Sequence, residues 1–552
     1  MTLPGSEAVG GAVNFITYRA PADFSGKVSV QGDSYGYQRI DARVGTTIND
    51  RLGINVGGYV ARRQDGFLDH SDFHKGIFTL ALDYKLGDNT TLESNTTYMK
   101  YQSDMGSSVD SADFADRVFE SQHTFTERTL ETFRTKVQLA HQWNEQQATT
   151  ATVYFRHNIM GQIPSYRIRN NWTNPAVATG EINEARFQGY GAVLQHKQTY
   201  ETAAGKVNIR TGLSMDYSPT SNWAKFIEVE RNEAGKYVGY TATDSLLTQY
   251  DVLLRNTGAY AQMEWKPVEK LQLVAALRYD HFHYDYNNHL GEQAFSGAPD
   301  AINTFQAWTP KLGLTYSFSE RIGAYANYSR GMVPPQVSEL YRGVQVPVLV
   351  PSLYDNYEAG GWFSLPQQLG FVDLSVYQLN GFNEIISVLQ EDGSFQNENV
   401  GSTEHKGIEY TIKLFPIESL GIRFGGTHSV HRFFDFNNGV SDLSDNEMSA
   451  APDFVGNAEV TYRPSFLPGA RIALEWQRVG EYYMNDSNED IYEGYHLFNL
   501  RAGYTWKGVE LWANLMNVGD TMYATKAGKS SWGTSYVVGT PRNINVGVGY
   551  KF

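Results

Sequence analysis

The last stretch of the chain, Arg542-Asn543-Ile544-Asn545-Val546-Gly547-Val548-Gly549-Tyr550-Lys551-Phe552, alternates without interruption. Ile544, Val546, Val548, Tyr550 and Phe552 fall on one face. Asn545, Gly547, Gly549 and Lys551 fall on the other. Period-two alternation marks a strand lying between two unlike environments. One face is wholly apolar and the other small or polar, as in a strand with lipid on one side and a wet interior on the other. Strands that cross a bilayer this way need about 9–11 residues and must close into a barrel, because hydrocarbon offers no partner to an open sheet edge.

The same pattern recurs along the chain. It has 552 residues, yet no Pro-, Ser- or Gln-rich linker divides it. A chain this long exceeds one compact core, but a barrel escapes that limit because its lipid-facing residues need no protein core. Candidate strands are 26–33, 38–48, 51–63, 76–86, 90–102, 127–144, 148–159, 186–200, 205–217, 248–266 and 270–285, then 305–318, 321–330, 353–364, 369–388, 404–415, 419–433, 452–463, 469–481, 495–506, 508–518 and 541–552. In 76–86, Phe78, Leu80, Leu82, Tyr84 and Leu86 alternate with Thr79, Ala81, Asp83 and Lys85. In 495–506, Phe498, Leu500, Ala502, Tyr504 and Trp506 alternate with Asn499, Arg501, Gly503 and Thr505. The expectation is all-β: a 22-stranded antiparallel transmembrane β-barrel, an even number as barrels of this kind require. No run of 18 apolar residues occurs, which excludes a helical membrane protein and leaves a barrel open. Aromatics reach 14%, with 36 Tyr, enough to furnish girdles at both membrane surfaces.

The connections set the orientation. Short ones carry turn residues: Asn49-Asp50, Gly87-Asp88-Asn89, Asn144-Glu145-Gln146, Ala204-Gly205, Ser319-Glu320 and Lys507-Gly508. Long ones fall between them at 103–126, 160–185, 218–247, 286–304, 331–352, 389–403, 434–451 and 519–540. Bacterial barrels keep short turns in the periplasm and long loops outside, so both termini are expected on the periplasmic side.

Three segments carry a resemblance. Gly5-Ser6-Glu7-Ala8-Val9-Gly10-Gly11-Ala12-Val13-Asn14-Phe15-Ile16-Thr17 resembles the last plug strand of TonB-dependent outer-membrane receptors. Arg330-Gly331-Met332-Val333-Pro334-Pro335-Gln336-Val337-Ser338-Glu339-Leu340-Tyr341 is similar to the start of an outer loop in that family. Val509 to Asp520 is similar to its penultimate strand. With the terminal Phe552, the likeness spans the chain. It implies a C-terminal remnant of a plug domain at 1–23 and the barrel at 24–552. No signal peptide, TonB-contacting box or remainder of the plug is seen in the sequence.

The resemblance further implies a receptor and transporter for a scarce nutrient, most of all a ferric siderophore, driven through TonB from the Gram-negative outer membrane. The alternatives are a cobalamin or oligosaccharide receptor of the same family, or a passive channel. Haem is disfavoured, because haem receptors of the family place a His in the Pro-rich loop and 331–352 has none. Iron would arrive within its chelate, so no cofactor and no protein metal ligand is expected. The partners are then the ferric siderophore or a similar chelate, the TonB complex and outer-membrane lipid, with the barrel a monomer.

Chemistry read from the residues is sparse. Neither G-x-S-x-G nor H-E-x-x-H occurs, so no enzyme is expected. Cys is absent, which removes disulfides and thiolate metal sites, and the net charge of −15 argues against nucleic acid. The candidate ligand-binding residues are loop cations beside aromatics: Tyr166, Arg167, Arg169 and Trp172, then Trp223, then Tyr341 and Arg342. Arg can pair bidentately with anionic oxygens while aromatic rings stack on planar ligands. The alternative is that these residues mark the lipid headgroup level. His70 with His74, and His281 with His283, are weaker candidates read as solvated. Asp486-Ser487-Asn488-Glu489-Asp490 has hard oxygens at calcium-loop spacing but lacks the Gly that should follow. Gly528-Lys529-Ser530 lacks the upstream Gly of a phosphate loop.

Overall fold

The computed structural model describes residues 17–171, 174, 177–291, 297–342, 345–390, 395–531 and 533–552. Trp172 and the plug-like motif before Thr17 lie outside the described residues. Twenty-two antiparallel strands run in chain order around one closed sheet, from Ser25–Asp33 to Asn543–Lys551. The last strand returns to the first: Val28 lies opposite Tyr550, Val30 opposite Val548 and Asp33 opposite Asn545. Every expected strand is present in the expected order. One further two-residue strand, Arg169–Asn170, pairs onto Val177–Thr202. Two small hairpins, Tyr482–Tyr483 with Ile491–Tyr492 and Ala524–Ser530 with Gly533–Val538, fold within the long connections.

Burial is inverted relative to a water-soluble sheet. Val546 is 52% exposed and Leu500 41%, whereas Asn499 on the inner face is 2% exposed. Asn499 donates to Glu475 at 3.0 Å and accepts from the Asn517 amide at 2.8 Å, so the inner wall satisfies its own polar groups. No helix among the described residues is long and apolar enough to cross a membrane.

The short connections gather at one end. Asn49 and Asp50 take φ 51° and 56°, and Lys507 and Gly508 take 46° and 86°, the positive pairs of two-residue hairpin turns. At this end the Phe24 and Phe552 rings are 6.1 Å apart, and the Gly26 amide donates to the Phe552 carbonyl at 2.8 Å. Residues 18–22 run along the inner wall: Asn55 donates to the Arg19 carbonyl at 3.1 Å and Thr47 to the Pro21 carbonyl at 2.7 Å. A Cβ at Gly53 would meet the Ala20 Cβ at 2.7 Å, so glycine is what lets this segment lie so close.

Several connections differ from expectation. The region 218–247 is not a loop. Strands Gly205–Arg231 and Tyr237–Val268 continue their ladder well past the rest of the wall, with register shifts near Ala224–Ile227, and turn only at 232–236. Strand Val177–Thr202 rises beside them, so 160–185 is part strand, and 389–403 is largely filled by Gly370–Leu389 and Phe395–Ile417. Above the bilayer both faces meet water, so alternation fades while backbone pairing persists. The connection Ser34–Gly36 is short although it lies at the long-loop end, with Gly36 at φ 73°.

At that end, 105–126 bridges two distant parts of the rim. Tyr237 donates its amide to the Gln122 carbonyl at 2.8 Å and accepts from the Thr124 amide at 3.2 Å. On the other side Phe114 stacks on Tyr536 at 4.2 Å, and Arg117 grips Asp520 at 2.8 Å.

Candidate ligand-binding site

A cavity of about 460 Å³ opens at the long-loop end, within the usual range for small-molecule sites. Seven stretches of the chain converge on it, and its ionisable lining is two arginines, one glutamate and four tyrosines: Arg167, Arg342, Glu181, Tyr166, Tyr250, Tyr286 and Tyr341.

Tyr166 and Arg167 stand on the single helical turn Ser165–Arg167, entered from Pro164. Tyr166 is 60% exposed, and its hydroxyl accepts from Gln162 at 3.2 Å. Gln162 is itself held by Arg128 at 3.1 Å. Arg167 sits 3.7 Å from Glu181, a loose pair, and the same Glu181 oxygen accepts from Asn183 at 2.7 Å.

The opposite wall is the short helix Val337–Tyr341. Its first turn closes by a reciprocal cap: Gln336 accepts from the Glu339 amide, and Glu339 accepts from the Gln336 amide at 2.6 Å. Tyr341 is buried, stacked on Tyr286 at 4.2 Å and 9°, with its hydroxyl donated to Asn303 at 2.8 Å. Burial, reinforced by Tyr286 and Asp285, raises its phenol above the ordinary range, so it stays neutral. Tyr286 is 1% exposed, and its hydroxyl has no hydrogen-bond partner. Arg342 follows the helix, exposed, with no ion pair among the described residues.

Four of the seven residues expected from sequence therefore line one cavity: Tyr166, Arg167, Tyr341 and Arg342. Arg169 is exposed on its two-residue strand and Trp223 lies on the tall hairpin, donating to Glu184 at 3.3 Å; neither lines the cavity. Sequence reasoning missed Tyr286, Tyr250 and Glu181, which only the strand register delivers. Other sizeable hollows lie on the outward wall, such as the apolar one floored by Val376, Ile408 and Val430, and face lipid.

The weaker candidates are not drawn into sites. His70 binds the Thr126 carbonyl at 2.6 Å and lies 3.5 Å from Asp104, while His74 sits exposed on strand Phe73–Gly87. Asp486 and Asn488 use side-chain oxygens to accept the Ser449 and Glu447 amides, and Asp490 accepts from Lys529 at 2.7 Å. The calcium-like spacing thus serves to staple neighbouring loops. Lys529 of the Gly528-Lys529-Ser530 stretch belongs to the same staple.

Residues 17–518 match the family described as TonB dependent receptor-like, beta-barrel. The chain belongs to that family. This TonB-dependent receptor-like barrel is a protein of the Gram-negative outer membrane, and its long connections face outward. It superposes on the ferric citrate transporter FecA in its unliganded form with a TM-score of 0.82 at 15% identity, covering 100% of this chain and 82% of that one. The siderophore receptor PiuA from Acinetobacter baumannii gives 0.82 at 14% identity, covering 99% and 84%. In sequence, the barrel is 22% identical over 242 residues to the iron-regulated outer membrane virulence protein of Vibrio cholerae. That match takes in 42% of this chain and 35% of the relative, so it spans about a third of the relative's length.

Proposed function

We propose that the receptor takes up an anionic ferric chelate, a siderophore or similar ligand, held first in the outer cavity and then drawn inward by TonB-coupled energy. The observation that carries this reading is the cavity's lining. Two arginines against one glutamate favour an anion, and the exposed ring of Tyr166 offers a flat face to a planar chelating group. The similar structures named as a ferric citrate transporter and a siderophore receptor support it. In this reading iron is cargo within its chelate, the protein supplies no ligand to the iron, no bond is made or broken in the chelate, and the barrel works as a monomer.

The test is binding to the purified full chain in detergent, with ferric citrate, a ferric catecholate, cobalamin and a neutral oligosaccharide as probes. An anionic ferric chelate should bind. Arg167→Ala and Arg342→Ala should each weaken it by about tenfold or more, since a charge-assisted hydrogen bond contributes about 1.5–3 kcal/mol. Binding confined to cobalamin or the oligosaccharide, or affinity for the chelate indifferent to both arginines, overturns the proposal.

A further inference from the structure

On the inner wall, outside the lining of the loop cavity, two histidines face each other across adjacent strands. His405 of Phe395–Ile417 lies directly opposite His431 of Leu420–Asp435. Ile408 and Val430 expose their side chains on the outward face, so the odd-numbered His405 and His431 point into the lumen. Their Nδ1 atoms are 2.8 Å apart.

The surroundings decide which nitrogen carries each proton. Thr403 donates its only hydroxyl proton to the Glu384 carboxylate. It can then only accept from His405 Nε2, 3.2 Å away. His405 is therefore protonated at Nε2 and presents a bare lone pair at Nδ1. His431 answers with an Nδ1 proton, and its Nε2 lies 2.9 Å from the Ser429 hydroxyl. That hydroxyl serves either tautomer: it donates to a bare Nε2 and accepts from a protonated one.

Glu384 reaches this place through a local irregularity. The register slips by one residue between Gly381 and Glu384, with Asn383 at φ 55°, and turns Glu384 inward. A Cβ at Gly381 would lie 2.0 Å from Glu384 Oε1 and 2.5 Å from Thr403 Oγ1. Glycine there keeps the Glu384–Thr403–His405 chain intact.

We propose that His405 and His431 form a lumenal binding site for a divalent transition cation of the Cu²⁺ or Zn²⁺ kind, separate from the outer cavity. When His431 shifts its proton from Nδ1 to Nε2 and donates it to Ser429, both rings stay neutral and two lone pairs converge. No proton need be released. Tetrahedral coordination at ~2.0–2.1 Å per nitrogen needs the two Nδ1 atoms ~3.3 Å apart, a small opening from their present separation. Hydroxyls fixing the outer nitrogen of each ring are the arrangement that orients metal-binding imidazoles. No third His, Asp or Glu joins them among the described residues, so lumenal water completes the shell. Imidazole donors suit copper, zinc and nickel over calcium or magnesium.

The experiment adds one equivalent of Cu²⁺ to the full chain in detergent and reads nitrogen hyperfine structure by electron paramagnetic resonance, with affinity by calorimetry. The wild type should show two equatorial imidazoles. His405→Gln and His431→Gln should each leave one and weaken binding by 100-fold or more. Thr403→Val should keep both imidazoles and weaken binding by about tenfold, because the tautomer is no longer held. Heat-modifiable gel mobility reports barrel closure, and if a histidine variant fails to close, the wild-type and Thr403→Val spectra decide. A wild-type spectrum with fewer than two imidazoles overturns the proposal, as does a folded His405→Gln/His431→Gln protein that binds the first equivalent unchanged.

Discussion

Acidification should loosen the strap formed by residues 105–126. His123 lies in it, 6% exposed, with both ring nitrogens lacking hydrogen-bond partners and its ring 5.0 Å from that of Tyr237. Burial first, and then His70 nearby, lower its pKa from 6.5 to about 4. His70 lies 3.5 Å from Asp104, and the Arg231 guanidinium sits 5.6 Å from the same Tyr237 ring that His123 packs on. A base whose closed-state pKa is depressed takes up protons more readily when released. The docked strap is therefore fully favoured above pH ~6.5 and loses stability as pH falls from there towards 4. Between pH 7.5 and 5 the linkage amounts to ~2 kcal/mol. Discounted for solvent reaching the ring, ~1 kcal/mol remains, roughly a fivefold change in the open population. Hydrogen exchange measured at both pH values and corrected for intrinsic rates should show that loss of protection at Gln122–Thr124 and Tyr237. His123→Phe, which keeps a ring against Tyr237 but cannot ionise, should abolish the pH dependence. Equal pH sensitivity in that variant would refute the reasoning.

Two further outcomes concern the wall. Arg278 and Asp280 are buried on the inner face and joined by two bonds of 2.7 Å, so Asp280→Asn should destabilise the barrel by ~3–5 kcal/mol in urea titrations. The paired change Arg278→Leu/Asp280→Leu should cost less than the single one, because it leaves no stranded charge. Val546→Arg places a cation on the lipid side of the closing strand and should cost ~2–4 kcal/mol if that position lies near mid-bilayer, read as reduced yield of heat-modifiable protein; Asn545→Arg, facing the lumen, should be tolerated.

Strand order was legible because lipid and lumen impose opposite demands on neighbouring residues, and that contrast is written at period two in segments such as Ile544–Phe552. Strand length was not. Around Ser221–Thr248 water lies on both faces, nothing selects alternation, and only the partner strand shows that pairing continues. The cavity was half legible: a cation beside an aromatic in a loop picked out Tyr166, Arg167, Tyr341 and Arg342. Tyr286 opens the connection 286–304 with no cation beside it, and its stacking on Tyr341 depends on a fold-back of 55 residues that no local pattern encodes. The His405–His431 pairing is hidden for the same reason, since it exists only once two strands take their register.

The seam between Lys27 and Lys551 has a consequence for biogenesis. One edge of the first barrel strand, Ser25–Asp33, pairs with its neighbour Tyr37–Ile48, but its other edge is satisfied only by the last barrel strand, Asn543–Lys551. Until those two strands meet, the sheet carries two unsatisfied edges. The sheet must therefore be kept from pairing with other chains until its two edges meet, and the Phe24–Phe552 contact forms only with that closure.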